Sequence, residues 1–392
     1  MSTADSPISG VETSGKRKTI AILASFPAWL YTDGLSEYNG EHYDAWLVAL
    51  HEALEHQDEF DIHWVTLCKE LKEPVRFESR GQHIHVLPRT KRTIGLVTFY
   101  IYDRAMVARE LRAINPDLVH SWGTEDCYGL CAKDFKGRRL HSVQGILTAC
   151  VARARFPRFV RLQSKYEPCV WRNIRHITTE SPWAAEQVRK LVPTARPALW
   201  EYAVEERFCQ TEHKLASSPQ CLYAGSDTNL NPLKNVDFLI EAFSDPRLSH
   251  VTLKLAGVYP ANRPNLPSNI KAMGRVGRDG MTRLLSESWA LVHMSLTETG
   301  PTIAKEARVV GLPVILSNCC GCTQYIEDGQ SGFVLDPHDK EGFIKAVLAV
   351  TRDAETALAM GAHGLAECRE ALSRATMIRR LLEIYRGILS EP

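Results

Sequence analysis

The chain has 392 residues, 44% of them hydrophobic and 24% charged, with 47 Lys and Arg against 46 Asp and Glu. That balance excludes a disordered or fibrous chain, and a net charge of +1 names no class of partner. The length exceeds the roughly 250–300 residues at which one core stops growing, so two domains are expected.

The first 17 residues are polar with no apolar run behind them and read as a disordered tail, not a signal peptide. From 18 onward short apolar, β-branched runs alternate with helical patterns, the sign of a parallel sheet built from βαβ units. Strands are predicted at 18–25, 61–67, 83–87, 117–122, 140–144 and 176–180, with helices over 40–56, 101–114 and 181–192. Ser181-Pro182 supplies a cap and a first-turn proline for the last of these. Residues 18–200 therefore form one doubly wound domain.

The pattern lapses in a proline-containing stretch, and 201–218 is assigned as a linker. A second series over 219–372 repeats the alternation, with strands expected at "QCLYAGS", "VTLKLAG", "NIKAMG", "WALVHMSL", "LPVILSN" and "GFVLDP". Residues 373–392 read as a final helix. The longest uncharged stretch near a basic flank, 93–102, is half of what a membrane-spanning helix needs. Eleven scattered cysteines fit reduced thiols, and neither Cys127/Cys131 nor Cys319/Cys320/Cys322 has a second pair at zinc spacing.

Ligands of open α/β sheets bind outside the carboxyl ends of the strands, so the loops carry the chemistry. After "WALVHMSL" comes "TETGPTIAKE". Gly300 and Pro301 turn the chain into a helix whose first amides, at Thr302, Ile303 and Ala304, face outward at a positive dipole end that accepts an anion such as phosphate. Glu306 lies one turn further on the same face, where a carboxylate can accept two hydrogen bonds from a ribose diol. Glu298 lies in the loop on the other side. Taken alone, a first-turn glutamate is commonly a dipole partner and a loop glutamate commonly solvated.

The segment 289–337 resembles the nucleotide-sugar half of family 4 retaining glycosyltransferases: E-x7-E, then "GLPVI", a glycine turn at Gly321, and "DGQSGFVLDP". The resemblance extends over most of 18–390 through "NPLKNVDFLIEAF", "PDLVHSWGTE" and "LLEIYRGIL". It implies an α/β GT-B fold, two Rossmann-like doubly wound domains facing across a cleft, with the last helix crossing back to the N-terminal domain. It implies that Glu306 holds the donor ribose, Glu298 lies beside the transferred sugar, and Lys234 pairs with the diphosphate as charge builds on the leaving group. Gly225 ends the strand before the phosphates, and Gly40, Gln144 and Glu125 lie on the acceptor and sugar side.

Three positions depart from the family pattern. Ser226 and Asp227 follow Gly225 where an arginine is usual, so Arg275 or Arg278 is the candidate second phosphate ligand. Gln144 stands where many members carry histidine, and Gln324 replaces a glutamate.

No Asp-x-Asp occurs in the chain, so a metal-independent transfer with no cofactor is expected, charge being neutralised by Lys234 and the helix terminus. The resemblance favours retention by same-face substitution, although Glu298 is the one candidate nucleophile for a double displacement. The expected partners are a UDP- or GDP-linked sugar and a glycan or lipid-linked acceptor, in polysaccharide or glycolipid biosynthesis. From 133 to 175 there are eleven Lys or Arg and two acids, which suits peripheral contact with an anionic membrane on the inner cytoplasmic face as well as a solvated basic surface. Nucleic-acid binding is disfavoured for want of a recognition motif. The alternatives are a catalytically silent GT-B scaffold and a sugar-nucleotide 2-epimerase.

Overall fold

The computed structural model describes residues 17–38, 45–225 and 232–392. In the first domain the strands are β1 (Lys18–Leu23), β2 (Phe60–Cys68), β3 (Val75–Ser79), β4 (Gln82–Pro88), β5 (Leu118–Trp122), β6 (Arg138–Ser142), β7 (His176–Thr179) and β8 (Ala198–Leu199). They form one sheet in the order β3-β4-β2-β1-β5-β6-β7-β8. All its pairings are parallel except β3 with β4. The second domain holds β9 (Gln220–Ala224), β10 (Thr252–Ala256), β11 (Ile270–Gly274), β12 (Ala290–His293), β13 (Val314–Ser317) and β14 (Gly332–Leu335), all parallel, in the order β11-β10-β9-β12-β13-β14. Every residue of β5, β9, β12 and β13 is buried. Continuous burial is what a parallel sheet covered by helices on both faces requires.

Each sheet is packed on both sides. One face of the first sheet collects Val65, Val107, Val119, Tyr166 and Val170. The other collects Ile20, Ile62, Trp64, Ile84 and Trp200 together with Met377, Leu381 and Tyr385 of the last helix, Arg374–Ser390. That helix, though last in sequence, belongs to the core of the first sheet. Its Tyr385 hydroxyl lies 2.8 Å from His120 Nδ1, and Trp200 Nε1 donates to Met377 O at 2.9 Å.

The strand orders reverse at β1/β5 and at β9/β12, and a doubly wound sheet opens its crevice at such switch points. The loops that leave β9 and β12 carry Gly225 and Glu298. The helix that follows β12, Thr302–Val310, ends on Gly311 in the left-handed region (φ 100°), a conformation favourable to glycine at a helix C-terminus.

Two expectations need correction. The amide of Ala304 is not free: it donates to Pro301 O at 2.9 Å, so the helix opens with a tight turn that leaves, of the three amides, only those of Thr302 and Ile303 without a backbone acceptor among the described residues. β3 was not expected, because its alternating, half-exposed residues give little apolar signal. The predicted helix over 40–56 is described from Ala45 to Leu54. Gly40 lies outside the described residues, as do Ser226 and Asp227.

Candidate functional site

Glu298 sits at the junction of three elements. Lys234, at the start of the helix region before Val236–Phe243, donates to Glu298 Oε1 at 2.6 Å. His293, fully buried at the end of β12, lies 2.7 Å from Glu298 Oε2 through Nε2, which is also 3.0 Å from Ser295 Oγ. Burial works against a charge on this carboxyl, but Lys234 and His293 overcome it and hold the group well below the usual carboxylate range. The carboxylate is therefore ionised and clamped from both oxygens. His293 was not foreseen, since within "WALVHMSL" it reads as one more core position.

The Glu298 loop is fixed by close backbone approach. The amide of Gly321 donates to Glu298 O at 2.8 Å, and a Cβ on Gly321 would lie 1.8 Å from Thr299 O, so no side chain fits there. Across the domain boundary Thr299 Oγ1 donates to Gln144 O at 2.5 Å, and Ser181 Oγ donates to Thr299 O at 2.6 Å. The loops after β6 and β7 are thus tied to the loop after β12.

Glu125 lies on the same side as Gln144. Its carboxylate accepts from the amide of Thr124 at 2.8 Å, and a Cβ on Gly145 would meet it at 2.2 Å. Next to it Glu167 accepts from the amide of Thr148 at 2.8 Å and from Thr148 Oγ1 at 2.5 Å; burial still pushes its carboxyl up to about 7. The thiol of Cys150 is pushed up to about 12 by burial and by the carboxylates of Glu167, Glu125 and Glu298.

Behind Gly300 lies a buried ion group that joins the domains. Lys305 Nζ lies 2.8 Å from Glu180 Oε2 and 4.0 Å from Glu201 Oε1, and Gln324 Nε2 donates to Glu201 Oε1 at 2.8 Å. Burial opposes the Lys305 charge, yet Glu180, with Cys322 and Glu201, keeps the ammonium above its usual range. Burial pushes Glu201 up to about 7. Gln324 therefore serves the domain boundary.

A cleft of about 520 Å³ opens on the other face of helix Thr302–Val310. It is lined by Thr302, Ile303 and Glu306, by Arg275, Gly277 and Arg278, by Glu205 of the linker region and by Trp46 of the first domain. Among the described residues, the amides of Thr302 and Ile303 have no protein acceptor. Glu306 is 5% exposed, and burial pushes its carboxyl up to about 8 against the pull of Arg278 and with the push of Glu205. Arg278 bridges the two acids, 3.2 Å from Glu306 and 3.1 Å from Glu205. Of the two arginines named as second phosphate ligands, Arg275 lines the cleft and Arg278 holds Glu306. Gly225, at the end of β9, donates its amide to Ala256 O at 3.0 Å. A larger cavity of about 960 Å³ lies at the carboxyl ends of β1, β2 and β4, where Phe26 and Trp29 face Lys69, Arg89, Lys91 and Arg92.

The loop and helix start after β12 thus carry two groups: the Lys234–Glu298–His293 cluster in the loop, and, at the cleft, the Thr302 and Ile303 amides with the buried carboxyl of Glu306.

Residues 217–365 match the family model described as glycosyl transferases group 1. A D-inositol 3-phosphate glycosyltransferase from Corynebacterium kroppenstedtii is 31% identical over 170 residues, covering 39% of this chain and 38% of that protein. The chain spans about two fifths of the length of the curated relatives it matches. Among solved structures, sucrose-phosphate synthase from Thermosynechococcus elongatus superposes with a TM-score of 0.73 at 17% identity, covering 95% of this chain and 100% of that one. HepE from Anabaena, solved in complex with UDP-glucose, gives 0.64 at 13% identity over 94% and 99%. The fold shared with these structures is the two-domain GT-B fold.

Proposed function

We propose that this chain, a member of the glycosyl transferases group 1 by its second domain and GT-B in fold, moves a hexose from a nucleoside diphosphate sugar to a glycan or lipid-linked acceptor. The observation that supports the reading is that the loop and helix start after β12 carry both the Lys234–Glu298 ion pair and the cleft-lining Thr302, Ile303 and buried Glu306; we read these as facing sugar, diphosphate and ribose in turn. The ribose diol donates to Glu306, while the diphosphate takes the helix terminus and the ammonium of Lys234, which Glu298 holds in place. Arg275 faces the same cleft and supplies further positive charge.

The leaving diphosphate gains charge as the glycosidic bond breaks, and a fixed ammonium beside it needs no solvent reorganisation to stabilise that charge. This supports a transfer without a metal ion. Glu298 is held from both oxygens by Lys234 and His293, which suits electrostatic support of the sugar better than free attack on it. That favours same-face substitution, in which the leaving phosphate takes the acceptor proton and configuration is retained. Incubation with UDP-, GDP- and ADP-sugars, followed by proton NMR of the anomeric signal, tests the reading. Turnover with retention is expected; absence of turnover with every donor, or inversion, defeats it.

The acceptor side carries a surface suited to an anionic bilayer, which would present a lipid-linked acceptor. Val97, Phe99, Ile101 and Tyr102 are 72%, 51%, 57% and 63% exposed, with Phe159 beside them at 45%. The left-handed backbone at Phe99 and Tyr100 turns Phe99 outward and Tyr100 into the core. Lys91, Arg92, Arg155, Arg158 and Arg161 are exposed around this patch. No helix among the described residues is long and apolar enough to cross a membrane, so contact would be interfacial. Arg158→Glu with Arg161→Glu is expected to weaken binding to phosphatidylglycerol vesicles by about 1 kcal/mol or more per residue. Equal binding of wild-type protein to neutral and anionic vesicles in a flotation assay contradicts this role.

A further inference from the structure

A second cluster of chemically active side chains lies at the other end of the first sheet, where β2 and β4 begin. The parallel register pairs His63 with His83, and the two-residue period of a strand puts Asp61, His63, His83 and His85 on one face. The antiparallel pairing adds Arg76 and Glu78 from β3 to that face, and Glu110 reaches it from helix Ile101–Ile114.

The hydrogen bonds fix where the protons are. Arg76 forks onto Glu110, Nε to Oε1 and Nη2 to Oε2, each at 2.7 Å, and this bidentate contact holds the carboxyl below its usual range, as an ion that only accepts. His85 Nδ1, 2.7 Å from Glu110 Oε1, must therefore carry the hydrogen. Its Nε2 then presents a lone pair to His63 Nδ1 at 3.0 Å, so His63 donates there. His63 is left with the Nε2 lone pair pointing at Asp61 Oδ2, 3.2 Å away: two acceptors face each other. His83 repeats the pattern. Its Nδ1 lies 3.3 Å from Glu78, and its Nε2 lies 3.4 Å from Asp61 Oδ1.

One divalent cation bound by His63 Nε2, His83 Nε2 and the Asp61 carboxylate resolves both contacts with Asp61 at once and leaves His83 Nδ1 to donate to Glu78. In a tetrahedral site with bonds of 2.0–2.2 Å, neighbouring ligand atoms lie about 3.3 Å apart. Here His63 Nε2 lies 3.2 Å from Asp61 Oδ2 and His83 Nε2 3.4 Å from Asp61 Oδ1, the two oxygens of one carboxylate, and one ligand atom from each of the three residues lies within 4.8 Å of the others.

We propose that Asp61, His63 and His83 form a binding site for a divalent transition metal, Zn2+ by its two imidazoles and one carboxylate, with a solvent molecule as fourth ligand. The chain His85–Glu110–Arg76 orients His63, and Glu78 orients His83, as second-shell acceptors do around metal-bound imidazoles. The site fastens β2 to the β3–β4 edge hairpin, away from the cleft, and is structural.

The test uses untagged, chelator-treated, full-length protein titrated with Zn2+ and, for its visible absorption, Co2+. Wild type and His250→Ala, an exposed histidine elsewhere, are expected to bind one ion per chain and to gain thermal stability with Zn2+. Glu110→Gln is expected to weaken affinity about 10–100-fold. His83→Ala, at a half-exposed position, and Asp61→Asn are expected to abolish the Co2+ band and the thermal gain. No saturable binding by wild type, or binding of equal strength in His83→Ala and Asp61→Asn, overturns the site; equal affinity in Glu110→Gln overturns the orienting chain.

Discussion

Lys234→Ala is expected to reduce turnover of the donor about 10²–10³-fold, the loss typical of removing one preorganised group that faces developing charge. Lys234 is 19% exposed in its side chain and held 2.6 Å from Glu298, so its ammonium is already oriented before the donor arrives. Bond cleavage puts a further negative charge on the diphosphate, and only an interaction that strengthens at that moment raises the rate. The effect should therefore fall mainly on kcat, with a smaller change in KM. Lys234→Arg retains the charge and should recover part of the activity. A loss of less than tenfold in Lys234→Ala, measured by release of nucleoside diphosphate, removes Lys234 from the mechanism.

The second large effect belongs to Glu306. A carboxylate that accepts from both ribose hydroxyls makes two charge-assisted bonds, of about 1.5–3 kcal/mol each, so its removal should weaken nucleotide binding by about 10²- to 10⁴-fold. Burial has pushed the carboxyl up to about 8, so near neutrality most of the free protein carries the proton. Ribose binding favours the ionised form. Affinity should thus rise as pH increases from 6 toward 8, by at most tenfold per unit, and level off above. Stability has the opposite sign: the folded state keeps a proton that the unfolded carboxyl loses above about 4.5, so this group lowers stability as pH rises from about 4.5 to about 8. Arg278, 3.2 Å away, must keep its contact with Glu306 or yield it to the diphosphate.

The two-domain, doubly wound fold was legible because the central strands are short, apolar runs buried on both faces, a pattern that survives in sequence alone. The β3 hairpin and the short helices Leu147–Arg153, Arg158–Gln163 and Tyr166–Trp171 were not, since half-exposed positions and a high basic content blur any period. At the site, the order of Glu298, Gly300, Pro301 and Glu306 along one loop and helix start is local and could be read. Contacts between distant segments could not. Lys234 and Glu298 are 64 residues apart, Thr299 and Gln144 155, and Lys305 and Glu180 125, and nothing local marks them as pairs. His293 was hidden by its surroundings, a polar residue in a strand otherwise made of core. The Asp61, His63, His83 and His85 cluster had a faint signal in D-x-H and H-x-H. It acquires meaning only once the register sets β2 beside β4.

Titration calorimetry of UDP and GDP against wild-type protein and Glu306→Gln, at pH 6, 7, 8 and 9, tests the central claim most directly. The proposed ribose contact at Glu306 predicts that wild type binds at least one of the two nucleotides, more tightly as pH rises to about 8, and that Glu306→Gln binds at least tenfold more weakly with the pH dependence gone. Binding that is equally strong in both proteins, or absent from wild type for both nucleotides at every pH, contradicts it.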